Sequence, residues 1–161
     1  KEVLSKFAGV EHRLEFAGKV NGRDFYNDSK ATNVKSTEIA LNAFDKPTIL
    51  ILGGLDRGHS FDELEDFLKN TKLIVCYGET KNRIKEFEKL GFGMFVHFGL
   101  YSILGRGECV VLDNLEEATI EASKNAINGD VVLLSPACAS WDQYKSFEER
   151  GDLFKKVVNN L

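Results

Sequence analysis

The 161-residue chain has no GxxxxGK loop followed by Ser or Thr, no GxGxxG fingerprint and no GxSxG elbow. The first absence removes the usual backbone-and-lysine cradle for a triphosphate. The second argues against dinucleotide redox chemistry. The third, with only three histidines to serve as base, leaves Ser135 and Ser140 without the partners of a serine nucleophile. No metal-ligand cluster stands out either. Cysteine is scarce: Cys76, Cys109 and Cys138 form an odd, widely spaced set. That excludes a disulfide framework and a CxxC metal pattern. Cys76 and Cys109 lie in apolar runs and are expected as buried strand residues, in keeping with a reducing cytoplasm.

No apolar stretch approaches the roughly 18 residues of a membrane span. The opening Lys1-Glu2-Val3-Leu4-Ser5-Lys6-Phe7 lacks the continuous apolar region of a signal peptide. It also lacks an initiator Met, so an excised piece or a processed product is expected. The net charge of −4 gives no general reason to expect a nucleic acid or a membrane surface as partner. The composition, 43% hydrophobic and 29% charged, is that of a soluble globular protein, and the length suits one domain spanning 1–161.

Apolar runs alternate with helix-length amphipathic segments. Arg13–Val20 alternates in polarity, Asn21-Gly22 is a hairpin turn signal, and Arg23–Tyr26 returns. A helix is predicted over Asn33–Phe44, with Val34, Ile39, Leu41 and Ala43 as inward positions. Thr48–Leu52 is a continuous apolar strand of the parallel-sheet kind. Ser60 and Glu63 form a predicted capping box ahead of the stripe Phe61, Leu64, Phe67 and Leu68. Strands follow at Leu73–Tyr77, Met94–Phe98, Cys109–Leu112 and Val131–Leu134, with helices at Thr80–Leu90, Leu115–Ile127 and Phe147–Asn159. His97, inside the aromatic strand, reads as a semi-buried histidine rather than a ligand. Residues 99–108 read as loop. The fold class is α/β: a Rossmann-like, doubly wound, mostly parallel sheet with a short antiparallel N-terminal ribbon.

Ligands of such sheets sit beyond the carboxyl ends of the strands. Three polar segments fall at strand ends. Asn27-Asp28-Ser29-Lys30-Ala31-Thr32-Asn33 leads into a helix. Helix capping explains its hydroxyl and amide residues; capping alone does not call for both Lys30 and Asp28. Lys30 offers charge to an anion, and Asp28 could accept from sugar hydroxyls. Gly53-Gly54-Leu55-Asp56-Arg57-Gly58-His59 is either a tight strand-to-helix corner or a binding loop in which Arg57 forks onto a carboxylate or phosphate. Ser135–Asp142 exposes backbone donors and the Ser140 hydroxyl. Phe147–Asp152 reads as a charged helix start, with Phe147 either core or pocket wall. His12-Arg13 reads as an exposed cationic pair before the first strand.

Together these segments resemble the C-terminal domain of the Mur ligases, most closely the members that add D-glutamate. The matching stretches are His12–Glu15, Asn27–Asn33, Gly53–Gly58 and Leu134–Gln143, extended by Phe147–Asp152. The resemblance implies an ATP-dependent ligase of peptidoglycan precursor synthesis that joins D-glutamate to UDP-N-acetylmuramoyl-L-alanine through an acyl phosphate. It implies D-glutamate binding by Thr32, Arg57, Ser140 and Phe147, where Arg57 stands in place of a lysine common in relatives. It implies nucleotide contact by His12, Arg13, Asp28 and Lys30. ATP and magnesium would be held mainly by a central domain of a three-domain, monomeric, cytoplasmic enzyme, so the 161 residues are expected to be inactive alone. Two alternatives remain: a stand-alone module binding a nucleotide or an acidic amino acid, and another Mur-type amino-acid ligase. A dinucleotide-dependent oxidoreductase domain is weaker, for want of the glycine fingerprint.

Overall fold

The structure, a computed structural model, describes residues 9–87 and 109–161. The strand predicted at 94–98, with His97, lies outside the described residues. So do the loop at 99–108 and the end of the helix predicted to reach Leu90.

The chain opens on a hairpin, β1 (Glu15–Val20) and β2 (Arg23–Asn27), paired antiparallel. Both turn residues take positive φ, Asn21 at 49° and Gly22 at 80°, as the Asn-Gly pair predicts. Then come α1 (Val34–Leu41), β3 (Thr48–Gly53), a 3-10 helix (Asp62–Asn70), β4 (Thr71–Tyr77) and α2 (Lys81–Phe87). Two-residue β5 (Val110–Val111), α3 (Leu115–Asn125), β6 (Val131–Leu134) and α4 (Phe147–Val158) complete the described chain.

The six strands form one sheet in the order β1-β2-β6-β3-β4-β5. Every pairing except β1–β2 is parallel. Side chains alternate across such strands, so each central strand feeds two cores. Leu50, Leu52, Val131 and Leu133 face α1, the 3-10 helix and Ile84 of α2. Ile49, Ile51, Val132 and Leu134 face Leu115, Ala118 and Ala122 of α3 and Phe154 and Val158 of α4. Helices on both faces explain why these strands are apolar at every position. Each fully buried Leu or Ile contributes roughly 1.5–3 kcal/mol relative to exposure.

Three local expectations are corrected. On α1, Ile39 is 63% exposed, and Ala43 lies exposed beyond the helix, which ends at Leu41; Thr37 and Ala40 fill the inward positions beside Val34 and Leu41. The Asn33 side chain caps the helix by accepting from Ser36 N at 2.9 Å, and this start sets the phase that turns Ile39 outward. Ser60 makes no capping box: its hydroxyl accepts from Asp62 N at 3.1 Å in a local turn, and the following segment is a 3-10 helix. Cys76 and Cys109 are both buried as expected, yet their sulfurs are in contact rather than separate, with Cα atoms 6.7 Å apart.

β3 ends in a corner that only glycine fits. Gly53 and Gly54 have φ of 137° and 144°, and a Cβ on either would overlap a backbone carbonyl, Tyr77 O or Ala139 O. The corner brings Leu55 N within 2.9 Å of Ala139 O and Gly53 N within 3.0 Å of Pro136 O. Gly54→Ala should therefore destabilise the fold by about 2 kcal/mol or more. A urea midpoint that did not move would show that the corner relaxes freely.

Candidate functional site

Because β2, β6 and β3 are parallel neighbours, the segments leaving Asn27, Leu134 and Gly53 emerge at the same edge of the sheet. The first continues the β2–β6 ladder by one rung, Asp28 N to Leu134 O at 2.8 Å. Asn27 then turns the chain: its Oδ1 accepts from Ser29 N at 3.1 Å. Asn33 alone caps α1 from within this segment, which leaves Asp28, Lys30 and Thr32 without a capping duty.

Asp28 is 4% exposed. Its Oδ1 accepts from Leu14 N at 3.2 Å and its Oδ2 from the Ser135 hydroxyl at 2.8 Å. The Ser135 carbonyl in turn accepts from Thr37 Oγ1 at 3.1 Å. Burial pushes the Asp28 carboxyl up to about 6, although the bonds from Ser135 and Leu14 and the charge of Arg13 pull the other way. Lys30 Nζ lies 5.2 Å from the centre of the Phe147 ring, a cation–π contact at the start of α4. Thr32 is half-buried two residues further on.

On the β3 loop, Arg57 is exposed and its guanidinium stacks over Trp141 at 4.9 Å. The loop is braced from α2: Arg83 pairs with Asp56 and donates to His59 O at 2.8 Å. Asp56 also accepts from Gly58 N at 2.8 Å. On the β6 loop, Ser140 is 2% exposed, and its carbonyl accepts from Tyr144 N at 2.8 Å. Ser146 caps α4, accepting from Glu149 N, which sets half-buried Phe147 on the first turn.

An open cleft of about 120 Å³ lies beside the first loop, lined by Arg13, Leu14, Asp28, Lys30, Ala31, Ser36, Ile39 and Ala40. It has cations at its mouth, an acid at its base and an apolar side. It is well below the roughly 300–1,000 Å³ of an enclosing ligand pocket, so it can grip only part of a nucleotide-sized molecule.

His12 departs from its expected exposure. It is 4% exposed, with its Nδ1 3.0 Å from Asn27 Nδ2 and its ring edge-on to Phe147 at 6.0 Å. Its carbonyl accepts from Lys30 N at 3.0 Å, so it serves the loop through its backbone. Arg13 beside it is exposed and lines the cleft.

Among the described residues, one group has side chains of the kind that hold a metal ion. Glu11, His12 and Asp152 come within 4.8 Å of one another. Lys155 already pairs with its carboxylates, at 2.7 Å from Glu11 and 3.2 Å from Asp152, and with Glu15 at 3.3 Å. Asp28 has both oxygens engaged by protein donors.

Trp141, Ser29 and Arg150 were not singled out as site residues by the sequence. The Phe147–Asp152 run, read as a charged start, contains an arginine with no exposed surface. The available signal was its spacing: three residues after Phe147 and four before Phe154 puts it on the inward stripe.

Comparison with known proteins agrees with this architecture. Residues 12–138 match the family described as "Mur ligase, glutamate ligase domain". The chain is 50% identical over 161 residues to a UDP-N-acetylmuramoylalanine–D-glutamate ligase of Bacillus subtilis (strain 168), covering 100% of this chain and 33% of that protein. It is 48% identical over 160 residues to the ligase of the same name from Bacillus cereus (strain AH187), covering 99% of this chain and 32% of that one. The chain thus spans about a third of the length of the curated relatives it matches. Among solved structures, a murein peptide ligase from Psychrobacter arcticus 273-4 aligns with a TM-score of 0.58 at 18% identity, over 99% of this chain and 32% of that one. A MurF ligase from Thermotoga maritima in complex with ADP aligns at 0.54 and 14%, over 98% and 33%. At these identities the two structures speak for the fold alone.

The Asp28 environment yields a pH prediction. A folded-state value near 6 lies above the ordinary 3.8. The ionised form therefore weakens the fold, fully above pH 6 and progressively less as pH falls toward 4, by at most about 3 kcal/mol. Asp28→Asn should gain about 1–3 kcal/mol at pH 8, and the gain should shrink through that window. Urea unfolding of both proteins at pH 8, 6 and 4.5 measures it; a gain constant with pH would contradict this account of Asp28.

Proposed function

The chain belongs to the Mur ligase family through its glutamate ligase domain, and from that premise we propose that it is the C-terminal, amino-acid-binding domain of an ATP-dependent ligase. The reaction proposed is addition of D-glutamate to UDP-N-acetylmuramoyl-L-alanine, in the cytoplasm. The observation that carries this reading is the common edge at which the loops of β2, β6 and β3 emerge, bearing Lys30 and Thr32, Ser140, and Arg57. The 50% identity to a ligase of that name over the whole chain supports it.

D-Glutamate carries two carboxylates and an ammonium group. Arg57 would meet a carboxylate as a two-pronged donor, its guanidinium lying over the Trp141 ring. Thr32 and Ser140 supply hydroxyls, and Phe147 a wall shared with Lys30. Ser140 is buried here, so contact with it requires an approach into the rim or a local opening. In the cleft, Lys30 and Arg13 face phosphate oxygens while Asp28 accepts from ribose hydroxyls; His12 holds the Lys30 turn from behind.

In the proposed chemistry the γ-phosphoryl group of ATP passes to the alanyl carboxylate, releasing ADP. The D-glutamate amine then forms the amide bond with the acyl carbon. The carbon–oxygen bond to phosphate breaks, and the amine gives up a proton. This domain's part is to bind and orient the amine and to lay positive charge along the phosphates as the site closes. A cleft too small to enclose a nucleotide fits a domain that closes over ATP gripped elsewhere, magnesium included.

Steady-state kinetics of the full-length protein test this reading. Arg57→Ala should raise the KM for D-glutamate about tenfold or more and leave that for ATP within about twofold. The 161 residues alone should form no ATP-dependent product with D-glutamate, because their sequence has no triphosphate cradle. Turnover by the isolated chain, or an Arg57 variant altered only toward ATP, would contradict the assignment.

A further inference from the structure

Arg150 is the largest completely buried side chain among the described residues. It occupies an inward position of α4 where an aliphatic residue would serve packing alone. Burying a guanidinium is costly unless its donors find acceptors. Here each nitrogen does: Nε donates to Ser29 Oγ at 2.9 Å, Nη2 to Ser29 O at 2.7 Å and Nη1 to Cys138 O at 3.0 Å. Ser29, itself fully buried, donates its hydroxyl hydrogen bond to Phe147 O at 2.6 Å.

The choice of acceptors carries the argument. Ser29 stands between Asp28 and Lys30 on the first loop. Cys138 stands two residues before Ser140 on the β6 loop. The β3 loop closes on the same group, since a Cβ on Gly54 would come within 3.2 Å of Nη1. A planar, rigid fork bonded to both loops fixes their separation and tilt at once; a lysine ammonium, a single point on a flexible stem, cannot.

We propose that Arg150 is a positioning residue that locks the Asp28–Thr32 and Ser135–Ser140 loops in one register, so that the nucleotide and amino-acid halves of the site are set together. The inference rests on the ligase reading above and adds a residue that touches neither substrate. If Arg150 served packing alone, its loss would lower the folded fraction and leave the substrate constants of the folded enzyme unchanged.

The experiment uses the full-length ligase with Arg150→Met, which keeps bulk and removes the donors, Arg150→Lys, which keeps charge, and Ser29→Ala, which removes one acceptor. KM for D-glutamate and for ATP, kcat per folded molecule and thermal midpoint are measured for each. Arg150→Met should raise both KM values together by about tenfold or more, Arg150→Lys should recover only part of the loss, and Ser29→Ala should raise both about threefold. Both KM values within about twofold of wild type, with only stability reduced, would overturn the proposal. So would a change in one KM alone. If Arg150→Met does not fold, the other two variants decide by the same criteria. A wild-type enzyme without D-glutamate-dependent turnover would overturn the functional reading itself, and this inference with it.

Discussion

The structure depends on the seat of one short strand. β6 is four residues long, and it is laid between β2 and β3 with a parallel partner on each side. Asp24, Phe25, Tyr26 and Asn27 pair it on one edge and Thr48, Ile49, Leu50 and Ile51 on the other. A one-residue slip would exchange the side chains of its two faces and empty both cores at once. The same register sets where the polar rim begins, because Asp28, Gly54 and Ser135 are the first residues beyond the three strand ends.

Beyond those ends the chain trades apolar packing for directed polar contacts. Asp28, Ser29, Thr37, Ser135, Ser140 and Arg150 are all buried polar residues within this one region. Groups of this kind weaken a fold unless they are paired. Here all but Ser140 bind one another: the Asp28–Ser135 bond, extended to Thr37, ties the loops on one side and the Ser29–Arg150–Cys138 bridge on the other. What such a network gives in return is rigidity, which suits the proposed role of this surface in holding two different anions at a fixed separation.

Much of this was readable in the chain. Asn21-Gly22 set the hairpin, the unbroken apolar runs of β3 and β6 announced strands covered on both faces, and alternation with helix-length segments gave the parallel sheet. The three strand-end loops were legible as candidates from their charge and small residues, and Leu134–Gln143 tied the chain to its family. The harder parts were those where orientation decides. Eight-residue α1 is too short for periodicity to fix its phase: Ile39 faces out, and the helix stops at Leu41, before Ala43. His12 and Arg150 are residue types whose default is solvent; both are buried because specific partners meet them, the Asn27 amide nitrogen at the His12 ring and the Ser29 and Cys138 oxygens at the Arg150 guanidinium. Composition carries no trace of a partner more than a hundred residues away.

One contact at the back of the molecule bears on motion. Lys155 gathers Glu11 and Glu15, which flank His12 and Arg13, onto the middle of α4. The stretch of backbone entering β1 is therefore tethered to the same helix that presents Phe147 and anchors Arg150. A tug on the chain ahead of the hairpin would not spend itself in a slack loop. It would reach the helix beneath the rim through two carboxylates and one ammonium.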